Sequence, residues 1–327
     1  MKSKVVMIVL AVVLVVSVVF VGCAKPAAAP GPEGYPERPI SVLIGYGAGG
    51  GTDRFARAIG TPLSKIMGQS LVYVLLPGGA ASIAEDYLLK QPADGYTILA
   101  MGGDLPINLT TERNTHSMDD YIPLCRVQHD TDCIQINAKD TRFSNLDEFV
   151  AYAKENRVTI GTGGAAGIDE VVAAMFIRAT GIKAECVPYD KTGQMRAAVV
   201  AGDIDACTEE FGPAVSLIES GDMKPIIAFA DERAEDFPDC PTAVENGWDI
   251  TLGRARGVVM PAGTPEPILE FLESAIYQAY ETDEYKTFER ESYLHLRPGW
   301  ASREEYTQQL LDELDMYSEL LAELGYI

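Results

Sequence analysis

Hydrophobic positions along this chain form short runs separated by stretches with helical spacing. Apolar runs rich in β-formers occur at ISVLIGY (40–46), SLVYVLL (70–76), YTILAM (96–101), YIPLCRV (121–127) and CIQIN (133–137). They continue at VTIGT (158–162), KAECVPY (183–189), DIDACT (203–208), KPIIAFA (224–230) and RGVVM (256–260). Between them, residues 52–67, 80–90, 145–155, 168–180, 192–201 and 213–220 read as helices. Strands alternating with helices predict an α/β architecture with largely parallel sheets. The tail differs. Ile268, Leu269, Leu272 and Ile276 share one helix face, and Tyr306, Leu310, Leu314, Tyr317, Leu321 and Leu324 repeat the pattern. Ser302 with Glu305 is a capping-box signal for the start of that last helix. The pattern lasts under three heptads, so an amphipathic helix over a sheet explains it better than a coiled coil.

Two strand-to-helix junctions are rich in glycine. GYGAGGGTDR (45–54) places Gly45, Gly47 and Gly50 in the G-x-G-x-x-G spelling of a dinucleotide turn. Such a site also needs an acidic residue at the end of the next strand, to hold the ribose. That strand ends Leu75-Leu76-Pro77-Gly78-Gly79, so the dinucleotide reading fails and no cofactor is expected. The turn keeps its physical meaning. Glycines let backbone N–H groups converge, and the helix N-terminus adds partial positive charge, which suits a carboxylate or another small anion. Thr52 or Asp53 can cap the first turn of the helix. No cationic side chain lies within the turn, and Arg54 is the nearest in sequence. GTGGAAGIDE (161–170) is a second turn of the same kind. A tight ligand-free connection is the alternative for either one. Two such turns in separate domains imply a ligand clamped between two α/β lobes.

Charge and cysteine content narrow the partners. The 327 residues carry 26 Lys and Arg against 48 Asp and Glu, a formal charge of −22. Nucleic acid demands a basic face and is excluded as a partner. The three histidines lie far apart without ligand spacing, so no metal site is expected. No activated nucleophile can be assembled from the motifs present, which argues against an enzyme. Cys125 and Cys133 flank HDTD and could bridge, although buried free thiols at strand positions are the favoured reading. At the N-terminus, Lys2 and Lys4 precede an uncharged run from Val5 to Gly22 and then Cys23. This is the make-up of a secretory signal, although the run is also long enough for an uncleaved anchor. VFVGC resembles a lipobox, with Phe20 in place of the usual Leu, and implies cleavage after residue 22 and lipid on Cys23. Residues 23–34 then form a lipidated tether.

YPERPISVLIGYGAGGGTDRFARAI resembles the opening of the solute-binding receptors of tripartite tricarboxylate transporters, the TctC or Bug type. The likeness continues through QPADGYTIL (91–99), FSNLDEFVAYAKEN (143–156), IGTGG (160–164), VPYDKTGQMRAAVVAGDIDAC (187–207), FPDCPTAVENG (237–247) and VVMPAGTPEPILEFL (258–272). It implies a two-lobed type II periplasmic-binding-protein fold, each lobe a mostly parallel sheet flanked by helices, with the ligand in the interdomain cleft. Lobe one would be 35–138 plus 257–327 and lobe two 139–256, crossing near Ala138–Asp140 and returning near Arg254–Gly257. Carried over by position, the first grip is Tyr46, Ala48, Gly49, Gly50, Gly51, Thr52 and Asp53. Gly102 and Asp104 follow the YTILAM strand, and the second grip is Thr162, Gly163, Gly164, Ala165 and Ala166. Tyr189 and Thr192 belong to a loop that would close the cleft, with Glu209 nearby.

The chain departs from the family pattern at Gly45-Tyr46, where Pro-Phe is usual, at Asp190 and at Asp104. Glu209 and Glu210 also fall near the expected cleft. As rim charges these acids would matter little. Pointing inward, they would repel a di- or tricarboxylate and favour an amino acid or another amine-bearing acid. The resemblance implies an extracytoplasmic, monomeric receptor, held to a membrane by its N-terminal lipid. It would deliver a small carboxylate or amino acid to the membrane permease subunits of a tripartite transporter. A sensory protein on the same fold is the alternative.

Overall fold

The computed structural model describes residues 31–327 except 33 and 114, so the expected signal, Cys23 and most of the tether lie outside the described residues. The first part of the chain runs β1 (Ile40–Ile44), α1 (Gly51–Met67), β2 (Leu71–Leu75), α2 (Ser82–Leu89), β3 (Thr97–Met101), α3 (Leu105–Thr110) and β4 (Tyr121–His129). The middle runs β5 (Asp132–Asn137), α4 (Leu146–Glu155), β6 (Val158–Gly163), α5 (Ile168–Thr180), β7 (Ala184–Tyr189), α6 (Thr192–Ala201), β8 (Ala206–Glu210), α7 (Phe211–Glu219) and β9 (Met223–Ala228). The last part holds β10 (Ala255–Pro261), α8 (Glu266–Tyr280), α9 (Asp283–Glu291) and α10 (Arg303–Leu324).

All ten expected strands form, with β8 starting three residues later than its sequence run and continuing to Glu210. Two helices escape the periodicity. α3 is a turn and a half long, and α9 (DEYKTFERE) buries only Tyr285 and Glu289. α1, α5, α6 and α10 each stop at a glycine in the left-handed conformation, where other residues are strained.

The strands form two five-stranded sheets, ordered β2-β1-β3-β10-β4 and β7-β6-β8-β5-β9. In each sheet one strand runs against the other four, β10 in the first and β5 in the second. The sheets are therefore mixed, with a parallel core on one side of the reversed strand. β5 corrects the expected lobe boundary. It pairs with β8 and β9, so the chain changes sheets at Asp130–Thr131 rather than near residue 138. The short connection between β4 and β5 looks like a hairpin in sequence, but each strand finds its neighbours elsewhere. The chain re-enters the first sheet at Ala255, which opens β10. The two crossings touch: the Asp130 N–H donates to the Arg254 carbonyl at 2.9 Å.

Each lobe has its own apolar core, Phe55, Ile59, Leu124 and Ile276 in the first and Phe149, Ile160, Phe176 and Ile227 in the second. α10 serves both. Its capped start (Ser302 with Glu305) leads into Tyr306 and Leu310, buried against lobe one, while Tyr317 and Leu321 pack into the core of lobe two. Cys125 and Cys133 are buried free thiols in different sheets.

Candidate functional site

The turn from β1 into α1 is held tightly against its own lobe, since a Cβ at Gly45 would come within 2.7 Å of the Ala81 Cα. Gly50 occupies the N-cap of α1 in an extended conformation, and no side chain caps the helix. The expected caps act otherwise. Asp53 accepts from the Gly49 N–H at 2.9 Å and from Arg57 Nε at 2.8 Å. The first amides of a helix have no intrahelical acceptor, so those of Gly51, Thr52 and Asp53 are left facing outward with helix-end positive charge.

The turn from β6 into α5 has the same ingredients but its amides are taken. The Gly163 N–H donates to Asp169 Oδ2 at 2.8 Å and the Ala166 N–H to Glu170 Oε2 at 2.6 Å. The Gly164 N–H donates to the Tyr189 carbonyl at 3.0 Å. At the helix start, the Ile168 N–H donates at 3.2 Å to Asp104 Oδ1, a carboxylate from the other lobe.

Between the turns lies a network of buried charge. Arg254, at the return crossing, reaches Asp104 at 3.1 Å, Glu210 at 2.9 Å and also Asp169. Arg256, two residues on and inside β10, pairs with Asp130 at 3.1 Å and with Glu210. Tyr46 donates its hydroxyl to Asp104 Oδ2 at 2.5 Å, and Arg196 pairs with Glu209 at 2.5 Å. Burial sets the protonation tendencies. It pushes Asp169 up to about 6 against the pull of Arg254, and Glu209 up to about 7 against that of Arg196. Burial and the neighbouring Glu210 together raise Asp130 to about 7. Burial would raise Glu210 too, but Arg256 and Arg254 outweigh it and hold that carboxyl below its usual range.

The space enclosed here is about 20 Å³, room for about one water. It is lined by expected residues Tyr46, Gly50, Gly51, Thr52, Gly163, Thr192 and Glu209, and by Gly47, Asp169, Asp190, Glu210, Arg254 and Arg256. A groove of about 950 Å³ along α10, past Gln308, Asp312 and Met316, is roomier but lacks this converging chemistry. Several expected residues support the cleft without lining it. Gly102 offers its carbonyl to Arg254 at 3.1 Å, Asp104 bridges the lobes, and Thr162 is buried beneath the second turn. Ala48, Gly49 and Ala165 are exposed, Gly164 and Ala166 pack under Ala80 and Arg113, and Tyr189 contributes its carbonyl.

The charged positions divide between buried and exposed ones. Asp104, Glu209 and Glu210 point inward, each no more than 3% exposed, whereas Asp190 is exposed. The first turn does have a cation beside it, because a Cβ at Gly51 would fall on the Arg256 guanidinium. Arg254 and Arg256 were missed as site residues. For Arg256 a signal was available: a guanidinium in an otherwise apolar buried strand, ARGVVMP, demands buried partners.

Residues 55–326 match the tripartite tricarboxylate transporter family receptor. A UPF0065 protein of Bordetella bronchiseptica is 27% identical over 274 residues, covering 80% of this chain and 78% of its own. Among solved structures, MatC from Rhodopseudomonas palustris with bound malate superposes with a TM-score of 0.78 at 21% identity, covering 88% of this chain and all of MatC. An R. palustris protein with adipate gives 0.80 at 21% identity, covering 89% and 98%. These structural likenesses establish the two-lobed binding-protein fold. With the family match spanning most of its length, the chain belongs to the receptors of the tripartite tricarboxylate transporter family, which bind solutes and are not enzymes.

Proposed function

We propose that this protein captures a small carboxylate-bearing solute outside the cytoplasm and passes it to the permease subunits of a tripartite tricarboxylate-type transporter. The observation that carries this reading is the uncapped N-terminus of α1, which offers its amides to the cleft opposite Thr192 of lobe two. The malate and adipate in its structural neighbours fit the same chemistry. The ligand contacts both lobes, so its binding free energy favours the closed state over an open one. The mature protein is a monomer anchored through lipid on Cys23, and Cys23→Ser should release it or leave the precursor uncut.

The test is a thermal-shift screen of organic and amino acids, followed by small-angle scattering with and without the best ligand. A ligand at 100 times its Kd adds about 2.7 kcal/mol of stability. Saturating ligand should also compact the protein. A protein that shifts with no acid, or that binds one without compaction, defeats the clamp.

A further inference from the structure

Taking the receptor reading as its basis, we propose that the cleft selects a solute with one carboxylate and one positively charged nitrogen. The carboxylate sits on the amides of α1 and the cation beside Glu209, because Asp104 already fills the carboxylate seat of the second glycine turn. A helix N-terminus is an anion seat, and lobe two brings two of them toward the cleft, that of α6, which begins at Thr192, and that of α5 in the second glycine turn. Asp104 Oδ1 occupies the latter, 3.2 Å from the Ile168 N–H, while Oδ2 takes the Tyr46 hydroxyl and Arg254. A carboxylate tethered to lobe one thus does for lobe two what a ligand's second carboxylate would do.

The pairing of the buried side chains points the same way. Six carboxylates (Asp104, Asp130, Asp132, Asp169, Glu209 and Glu210) are no more than 3% exposed around three guanidiniums, those of Arg196, Arg254 and Arg256. Both guanidiniums that line the cavity are engaged by these carboxylates, so neither is free to receive a second anion. Glu209 is different. Its Oε1 is held by Arg196, but Oε2 is buried without a hydrogen-bond partner at the cavity wall. An ammonium or guanidinium group supplies the missing donors; a carboxylate repels it. Among the described residues no group of three or more His, Cys, Asp and Glu is placed to hold a metal ion.

The experiment compares matched pairs by titration calorimetry on the mature chain: glutarate with 4-aminobutyrate, and adipate with 5-aminovalerate, beside a panel of L-amino acids and the diamine cadaverine. At least one amino-carboxylate should bind tenfold or more tighter than any diacid. Asp104→Asn should narrow that ratio by admitting the diacid, and Glu209→Gln should narrow it by weakening the amino-carboxylate. The second variant keeps the test standing if the first fails to fold. A diacid that binds as tightly as the best amino-carboxylate overturns the proposal and leaves the carboxylate receptor intact. Binding of cadaverine above every acid removes the carboxylate reading and keeps the cation site. Wild-type protein that binds no amino-carboxylate overturns the proposal outright.

Discussion

The turn from β1 into α1 and the turn from β6 into α5 share their parts: a buried strand end, several glycines and an N-cap glycine without a capping side chain. What reaches their amides differs. At the second turn Asp169, Glu170 and Asp104 are already in place, all from within the chain. At the first, the one local carboxylate that bonds an amide is Asp53, and it stops at Gly49, short of the helix end. The lobes are therefore unequal jaws, one open to an anion and one carrying its own. A glycine-rich turn advertises amides; whether they are vacant depends on acids up to about sixty residues away in sequence.

The largest test of that inequality is Arg254→Ala. The substitution leaves Asp104, Asp169 and Glu210 without the guanidinium that pairs all three. Removing one partner from a buried charge network costs about 3–5 kcal/mol, because the abandoned charges stay buried. A urea midpoint should fall accordingly, with the slope preserved. A loss of less than about 1 kcal/mol, within the range of exposed ion pairs, would mean that the second turn is not held by ionised acids.

Gly50→Val separates the turns by ligand rather than by stability. Gly50 has an extended backbone that valine adopts, so the fold should stand. Its Cβ would lie 3.4 Å from Thr192 Oγ1 and 3.3 Å from the Gly47 carbonyl, and the valine methyls extend further toward lobe two. Affinity for the best acid should drop at least 100-fold, about 2.7 kcal/mol. Gly163→Val acts on the other turn, where its Cβ would come 2.5 Å from Asp169 Oδ2 and should show first as lost stability. Equal ligand losses at the two sites, with no difference in stability, would erase the distinction. Arg54→Ala is the control, since its guanidinium is spent on Ser292 at 3.0 Å.

Much of this frame was legible in sequence. Strand and helix periods differ, and ten strands with long flanking helices carried them clearly. Glycine turns marked where the cleft had to be. The sheet crossing was hidden because β4 and β5 are buried along most of their length and show no alternation that would assign them to one sheet. The inward turn of Glu209 and Glu210 was hidden for a related reason. Adjacent strand residues normally face opposite sides, yet both are buried here, since Glu210 ends β8 and caps α7 from its backbone. Arg256 in a buried apolar strand told of buried partners, but which acids those are depended on the return crossing running between the two turns.

The smallest test concerns how lobe one supports the second turn from behind. Asn108 Nδ2 donates to the Ala80 carbonyl at 2.8 Å and to Glu85 Oε1 at 2.9 Å, while its Oδ1 takes Arg113 Nη1 at 3.0 Å. Arg113 Nη2 then donates to the Ala166 carbonyl in the second turn at 2.9 Å. Burial raises Glu85 to about 8, with Asp104 and Asp86 adding to it and Asn108 and Arg113 opposing. A carboxyl raised on folding contributes stability that is fully present below its unfolded value, near 4.5, and lost as pH climbs through about 8. Glu85→Gln keeps the shape and the acceptor of the protonated acid but cannot ionise. Wild type should therefore lose stability relative to the variant by about 1.4 kcal/mol from pH 6 to pH 7, the slope of one proton. Taking the difference removes Asp130, Glu209 and His129, which titrate in both proteins. Parallel stability curves would mean that Glu85 is ionised in the folded protein, and the strut behind the second turn would then be held by charge rather than by a neutral acid.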